Sequence, residues 1–243
     1  MNILIPMGGS DESFRQQGYA YTKPLIEIAG RPLVEHALAP FKPLTDAKMI
    51  FVIRKEDDLR FYLREVLHLL SPGAEVMRVD GPTAGAACTA LLAIEHIDNE
   101  EELLIANADQ ILDFDLNALL DTFRARSLDA GTVVFDSVHP RWSFVQTDEN
   151  DLVIEAAEKR PISRNATAGV YYFRQGRFFV DAAKKMIRKD ASVNGGFFVC
   201  PSLNELVLSQ MKVGVERIDR ANYISLATPQ SVEEYDNLLK ARG

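Results

Sequence analysis

The sequence predicts an α/β protein built on a doubly wound, mainly parallel sheet. Three observations carry that expectation. Short apolar runs alternate with helix-length amphipathic segments through residues 1–130, glycine-containing loops follow several of those runs, and beyond Gly131 the alternation gives way to successive strand-like segments. Strands that alternate with helices need crossovers, which are right-handed and lay helices on both faces of the sheet. The strand-rich second part reads as an α+β elaboration of that core.

Each element follows from its residues. Residues 2–6 (NILIP) form a short apolar strand. Residues 31–41 set Leu33, Ala37 and Leu38 at helical spacing, with Pro32 in the first turn, where its missing N–H costs nothing. KMIFVI at 48–53 reads as a buried strand, and 57–70 as an amphipathic helix stopped by Ser71-Pro72-Gly73. A strand at 75–79, a helix at 84–96, a strand at 103–106 and a helix at 115–126 continue the alternation. Asp113 and Asp115 stand where a carboxylate caps that last helix. Strands are then expected at 132–135, 143–147, 152–157 and 167–173, helices at 176–188 and 201–211, a strand at 213–218 and a closing helix at 229–242. No repeat, low-complexity segment or linker divides the chain, so 1–243 is expected as one domain with halves 1–130 and 131–243.

Composition narrows the function classes. Among 243 residues, 27 Lys+Arg face 35 Asp+Glu for a net charge of −8, which counts against a nucleic-acid binder. No apolar run reaches the ~18 residues of a membrane span, and no basic leader with a cleavage site opens the chain, so a cytoplasmic protein is expected. Cys88 and Cys200 form no Cys-x-x-Cys pair. His36, His68, His96 and His139 lie too far apart in sequence for a metal-ligand spacing.

Ligands of such sheets bind beyond the carboxyl ends of the strands, which points to the loops after Pro6, Val79 and Ala106. Successive N–H groups in Met7-Gly8-Gly9-Ser10 can form an anion-binding concavity, although the tetrapeptide alone is equally a tight turn. The small residues of Thr83-Ala84-Gly85-Ala86-Ala87 leave room for a ligand, or let a helix approach the sheet. Asp109 in Asn107-Ala108-Asp109-Gln110 offers a hard oxygen suited to Mg²⁺, which often takes only one or two carboxylates beside phosphate oxygens. In isolation it is equally a cap. Glu158-Lys159 alone is a surface ion pair of little weight. Trp142, the single tryptophan, can stack on a sugar face or a cation, or simply fill a rim.

The order of these motifs says more than any one of them. Pro6-Met7-Gly8-Gly9, Phe14, Gly18-Tyr19 and the run from Thr22-Lys23-Pro24-Leu25 to Gly30-Arg31-Pro32-Leu33 come first. Thr83-Ala84-Gly85, Asn107-Ala108-Asp109, Pro140-Arg141-Trp142-Ser143, Glu158-Lys159-Arg160-Pro161, Gly169-Val170-Tyr171, Val193-Asn194-Gly195 and Ala227-Thr228-Pro229 follow. Together, over roughly residues 1–235, they resemble the signature of the sugar-phosphate nucleotidylyltransferases. The resemblance implies a Rossmann-like, glycosyltransferase-A-like fold, with 1–130 holding the nucleotide and 131–243 the acceptor. It implies attack by a substrate phosphate on the α-phosphate of an NTP, with release of pyrophosphate, in the supply of precursors for surface polysaccharide. Lys23 would sit beside the transferred phosphate and Asp109 would hold Mg²⁺. Met7, Gly8, Gly9, Ser10 and Asn107 would contact the nucleotide, and Gly81, Thr83 and Gly85 the base. Trp142, Ser143, Glu158, Lys159, Gly169 and Asn194 would face the phosphorylated small-molecule acceptor. A homo-oligomer is allowed and not specified.

Two departures stand out. The family's loop continues Gly-x-Gly-x-Arg, whereas an ungapped alignment puts Asp11 at the second glycine and Ser13 at the arginine. Arg15 is the expected substitute for the lost guanidinium. In the closing motif Ser225 and Ala227 stand in place of the usual residues, a second metal-binding Asp among them. Altered donor or metal use, or binding without turnover, are the other readings. A glycosyltransferase using a nucleotide-sugar donor shares the fold, but Thr22-Lys23-Pro24-Leu25 and Glu158-Lys159 favour nucleotidyl transfer.

Overall fold

The computed structural model describes residues 1–242. In chain order the first half contains β1 (Asn2–Met7), α1 (Glu12–Gln16), β2 (Glu27–Ile28), β3 (Arg31–Pro32), α2 (Leu33–Leu38), β4 (Lys48–Arg54), α3 (Lys55–Phe61), α4 (Leu63–Leu70), β5 (Glu75–Val79), α5 (Ala86–Leu91), α6 (Ile94–Ile97), β6 (Leu103–Ala106), β7 (Gln110–Leu112) and α7 (Leu116–Ala125). The second contains β8 (Ala130–Asp136), β9 (Ser143–Thr147), β10 (Val153–Glu158), β11 (Asn165–Phe173), α8 (Gly176–Arg188), α9 (Val199–Leu208), β12 (Val213–Arg217), β13 (Tyr223–Ser225) and α10 (Pro229–Arg242).

Nine strands make the central sheet, in the order β10-β9-β11-β6-β1-β4-β5, with β8 beside β11 and β12 beside β8. β5, β4, β1 and β6 run parallel, and β11 joins antiparallel to β6. Alternation along each strand assigns the two faces. Leu4, Ile50 and Val52 point to one face, covered by α5, α8 and α9 through Ala87, Ala90, Phe179 and Leu203. Ile3, Ile5, Phe51 and Ile53 point to the other, under α2, α4 and α7 through Val34, Leu38, Leu67, Leu120 and Phe123. Both faces are therefore buried, as doubly wound strands require.

Several expected elements are shorter than their periodicity suggested. The helix expected at 57–70 is two helices, because Tyr62 adopts a left-handed conformation (φ 55°) and closes α3 by donating its N–H to the Asp58 carbonyl at 2.9 Å. The helix expected at 84–96 begins only after Gly85 and breaks between Leu91 and Ile94. Gly85 has φ 101°, and a Cβ there would stand 2.3 Å from the Phe197 carbonyl oxygen, so only glycine fits. Residues 31–41 divide into β3 and α2. Asp115 caps α7 as expected, accepting from the N–H groups of Asn117 (2.8 Å) and Ala118 (3.2 Å). β7 and β13 carried no sequence signal. At three residues each they are too short for a visible period, yet they pair with one another and bring Ser225 opposite Gln110.

Candidate active site

A cleft of about 450 Å³ opens beyond the carboxyl ends of β1, β4 and β6. Met7, Gly8, Gly9 and Ser10 form the loop that leaves β1, and all four line the cleft. Thr83 and Gly85 line it from the loop after β5, and Asn107 and Asp109 from the loop after β6. The Thr83 hydroxyl lies 2.6 Å from that of Thr89, whose own O–H donates to the Gly85 carbonyl at 3.2 Å, tying this loop to α5. Gly81 (φ 81°) lies outside the residues that line the cleft.

Lys23 and Asp109 meet here although 86 residues separate them. Lys23 sits in a short 3-10 turn whose proline fixes the backbone, and its Nζ donates to Asp109 Oδ2 at 2.7 Å. Each side chain is 22% exposed, so the pair faces the cleft. Asp109 is anchored from behind, its carbonyl accepting the Leu226 N–H at 2.7 Å. That bond places Ser225, at the end of β13, next to Asp109.

Arg15 is not in this cleft. Buried Phe14 fixes the rotation of α1, and Arg15 projects elsewhere, within 3.5 Å of Asp11 and Glu12 and 3.9 Å of Glu56. It lines a smaller neighbouring cavity. The guanidinium that does line the cleft belongs to Arg54, the last residue of β4. Its Nε and Nη2 fork onto Asp57 at 2.8 and 2.7 Å, and Nη2 also lies 2.8 Å from Asp11. Thr22 donates its hydroxyl to Asp11 at 3.0 Å. Burial alone would raise the Asp11 carboxyl, but the Arg54 charge and these hydrogen bonds outweigh it, and the group titrates below the ordinary aspartate value. Asp11 is thus no free negative charge beside the glycine loop. The signal for Arg54 was its position: it closes a buried strand at the sheet's ligand-binding edge, three residues before an aspartate.

The residues expected to face the acceptor do not share one cavity. Glu158, Lys159 and Asn194 line a space of about 570 Å³. Glu158 accepts the Ser143 hydroxyl at 2.5 Å, and the Lys159 Nζ lies 5.5 Å from the centre of the Phe198 ring, which itself lines the cleft. Trp142 lines a different cavity. Gly169 lies directly behind the cleft wall, its carbonyl accepting the Asn107 N–H at 3.1 Å.

A metal fit can be judged from the donors. Among the described residues no group of three His, Cys, Asp or Glu side chains could enclose an ion. Asp109 supplies the carboxylate beside Lys23, and Ser225 lines a neighbouring cavity instead. That carboxylate fits Mg²⁺ only as a cation that draws most of its ligands from bound phosphates and water.

A family model described as nucleotidyl transferase matches residues 3–209. The chain belongs to the nucleotidyl transferase family. It is 26% identical over 208 residues to a bifunctional protein GlmU of Methanocaldococcus jannaschii, covering 78% of this chain and 48% of that protein. It is 21% identical over 177 residues to mannose-1-phosphate guanylyltransferase 1 of Arabidopsis thaliana, covering 70% and 49%. The chain thus spans about half the length of the curated relatives it matches. A Vibrio cholerae structure described as a nucleoside-diphosphate-sugar pyrophosphorylase superposes with a TM-score of 0.86 at 23% identity, covering 97% of this chain and 99% of that one. That likeness fixes the fold.

Two predictions arise from this nucleotidyl transferase fold. Gly169 has φ 62°, and a Cβ there would stand 2.2 Å from the Asn107 amide nitrogen and 2.7 Å from Gln110 Oε1. Gly169→Ala therefore loses at least the ~1–2 kcal/mol of a left-handed non-glycine residue, measured by urea unfolding, and displaces Asn107. The second concerns Glu158. Burial pushes its carboxyl above the ordinary value of 4.5, against the opposing pull of the Ser143 hydroxyl and the Lys159 charge. The folded state then binds this proton more tightly than the unfolded chain does. Its stabilising contribution is present in full below pH 4.5 and is lost as pH rises through the raised value. Glu158→Gln should gain thermal stability relative to wild type as pH increases, which paired melting curves at acid and neutral pH would check. An unchanged difference would refute it.

Proposed function

We propose that the protein transfers a nucleoside monophosphate from an NTP to a phosphorylated small molecule and releases pyrophosphate. The Lys23–Asp109 pair at the mouth of the glycine loop supports this reading above all, because it sets a cation and a hard oxygen side by side where a triphosphate would lie. An acceptor phosphate oxygen attacks the α-phosphorus, the bond to the bridging oxygen of the β-phosphate breaks, and pyrophosphate leaves with that electron pair. Such transfer depends on positioning and charge neutralisation. Lys23 holds its ammonium against the reacting phosphate, and Gly8 and Gly9 present backbone N–H groups without Cβ atoms in the way. Thr83 and Gly85 border the base. Mg²⁺, held by Asp109, neutralises phosphate charge when bound.

The name of the mannose-1-phosphate guanylyltransferase relative favours a sugar phosphate as acceptor, with surface polysaccharide precursors as the products and the cytoplasm as the location. A pyrophosphate-release assay over four NTPs and a set of sugar 1-phosphates, with MgCl₂ and with EDTA, tests the proposal. Metal-dependent release with one pair is the expected result. Saturable nucleotide binding with no release from any pair would leave a binding module, and loss of a nucleotide-sugar without pyrophosphate would indicate glycosyl transfer.

A further inference from the structure

Trp142 lines a cavity of about 430 Å³ together with Tyr223, Ile224 and Ser225 of β13, and this cavity shares no lining residue with the cleft. Its aromatic wall is a cluster of three rings. Phe135 stacks on Tyr223 at 4.9 Å, and Trp142 meets both edge-on at 5.5 Å. Two guanidinium groups rest on these rings: Arg141 lies 4.3 Å from the Trp142 centroid, and Arg220 lies 5.1 Å from Phe135 and 5.7 Å from Tyr223.

Neither arginine makes an ion pair among the described residues. Arg220 donates one N–H to the Tyr223 carbonyl, and Arg141 has no side-chain hydrogen bond. Most other arginines of this acidic chain hold a carboxylate. Glu234 is the only carboxylate lining the cavity, and its Oε1 already accepts from Gln230 at 2.8 Å. The lining therefore carries a net positive charge in a chain of net −8. A guanidinium held by its face keeps its N–H edge free, and that edge matches the oxygens of a phosphate or carboxylate. The volume suits a metabolite rather than a single ion.

We propose that this cavity is an anion-binding site, distinct from the cleft, for a small molecule carrying two acidic groups, phosphate or carboxylate. Arg141 and Arg220 each receive one group, and the Trp142–Tyr223 wall receives the carbon skeleton. The inference stands on its own residues and does not require the proposed reaction.

Trp142 is the only tryptophan of the chain, so its emission reports this cavity alone. The full chain is titrated at constant ionic strength with 3-phosphoglycerate, which carries both groups, and with inorganic phosphate, which carries one. The expected result is a saturable change in emission with 3-phosphoglycerate, weaker binding of inorganic phosphate, and a loss of about tenfold or more in affinity in Arg141→Gln and in Arg220→Gln. Arg141→Lys, which keeps the charge and loses the fork, should fall between, and circular dichroism confirms that each variant is folded. No saturable change at millimolar concentrations, or equal affinity in a folded Arg141→Gln, overturns the proposal. With NTP and MgCl₂ added, saturable binding without pyrophosphate release supports a site separate from the reaction, whereas release makes the bound molecule the acceptor and overturns it.

Discussion

Asp109→Ala is expected to lower kcat/KM for pyrophosphate release by about a thousandfold while changing stability by less than about 1 kcal/mol. Two physical facts set this split. The Lys23–Asp109 pair is short, 2.7 Å, but each side chain is 22% exposed, so water screens the attraction and the pair adds little to folding. The same openness lets both groups reach a ligand. Without Asp109 the cleft loses the carboxylate that pairs with Lys23 and, in the proposed reaction, the ligand for a phosphate-bound cation. Lys23→Ala should cost about a hundredfold through kcat, since its charge matters most as the phosphate reorganises. The double variant should fall no further than Asp109→Ala alone, because residues acting on one phosphate are not additive. Steady-state kinetics beside urea unfolding distinguish the two effects. A large stability loss in either single variant would make the pair structural and refute the assignment.

How much of this was legible in the sequence depended on range. Elements whose signal is local were read correctly: NILIP and KMIFVI became β1 and β4, and Asp115 capped α7. Lys23 and Asp109 were each placed by their motifs, and their contact follows from where β1 and β6 lie in the sheet. What failed depended on side-chain direction. Arg15 was expected to replace the missing loop arginine because it is two residues away, but burial of Phe14 turns it aside. Arg54 supplies the guanidinium from a strand 43 residues beyond Asp11, a partnership that periodicity cannot show. The acceptor residues share motifs but not a cavity: Glu158, Lys159 and Asn194 line one and Trp142 another, beside a β13 too short to see in the sequence.

Arg54→Gln is expected to be the most destabilising single change at the site, costing about 3–5 kcal/mol. Asp11, Arg54 and Asp57 are 4%, 15% and 5% exposed in their side chains, so removing the guanidinium strands two carboxylates in a nearly dry pocket. The pH dependence carries the sign. Asp11 titrates below its ordinary value of 3.8, so its contribution is present above that pH and is lost as pH falls through the depressed value. In Arg54→Gln the lowering charge is gone and burial, which raises the carboxyl, remains. Stability should then improve as pH falls toward the carboxylate range, the reverse of the wild-type trend. Asp11→Asn in the Arg54→Gln background should recover part of the loss by removing one unpaired charge, whereas in wild type the same change should destabilise. Urea midpoints measured for these four proteins between pH 4 and pH 8 check the cycle. A loss below about 1 kcal/mol in Arg54→Gln would show that water, not Arg54, satisfies these carboxylates. The acidic residue in the glycine loop would then repel phosphate as its position in the sequence suggests.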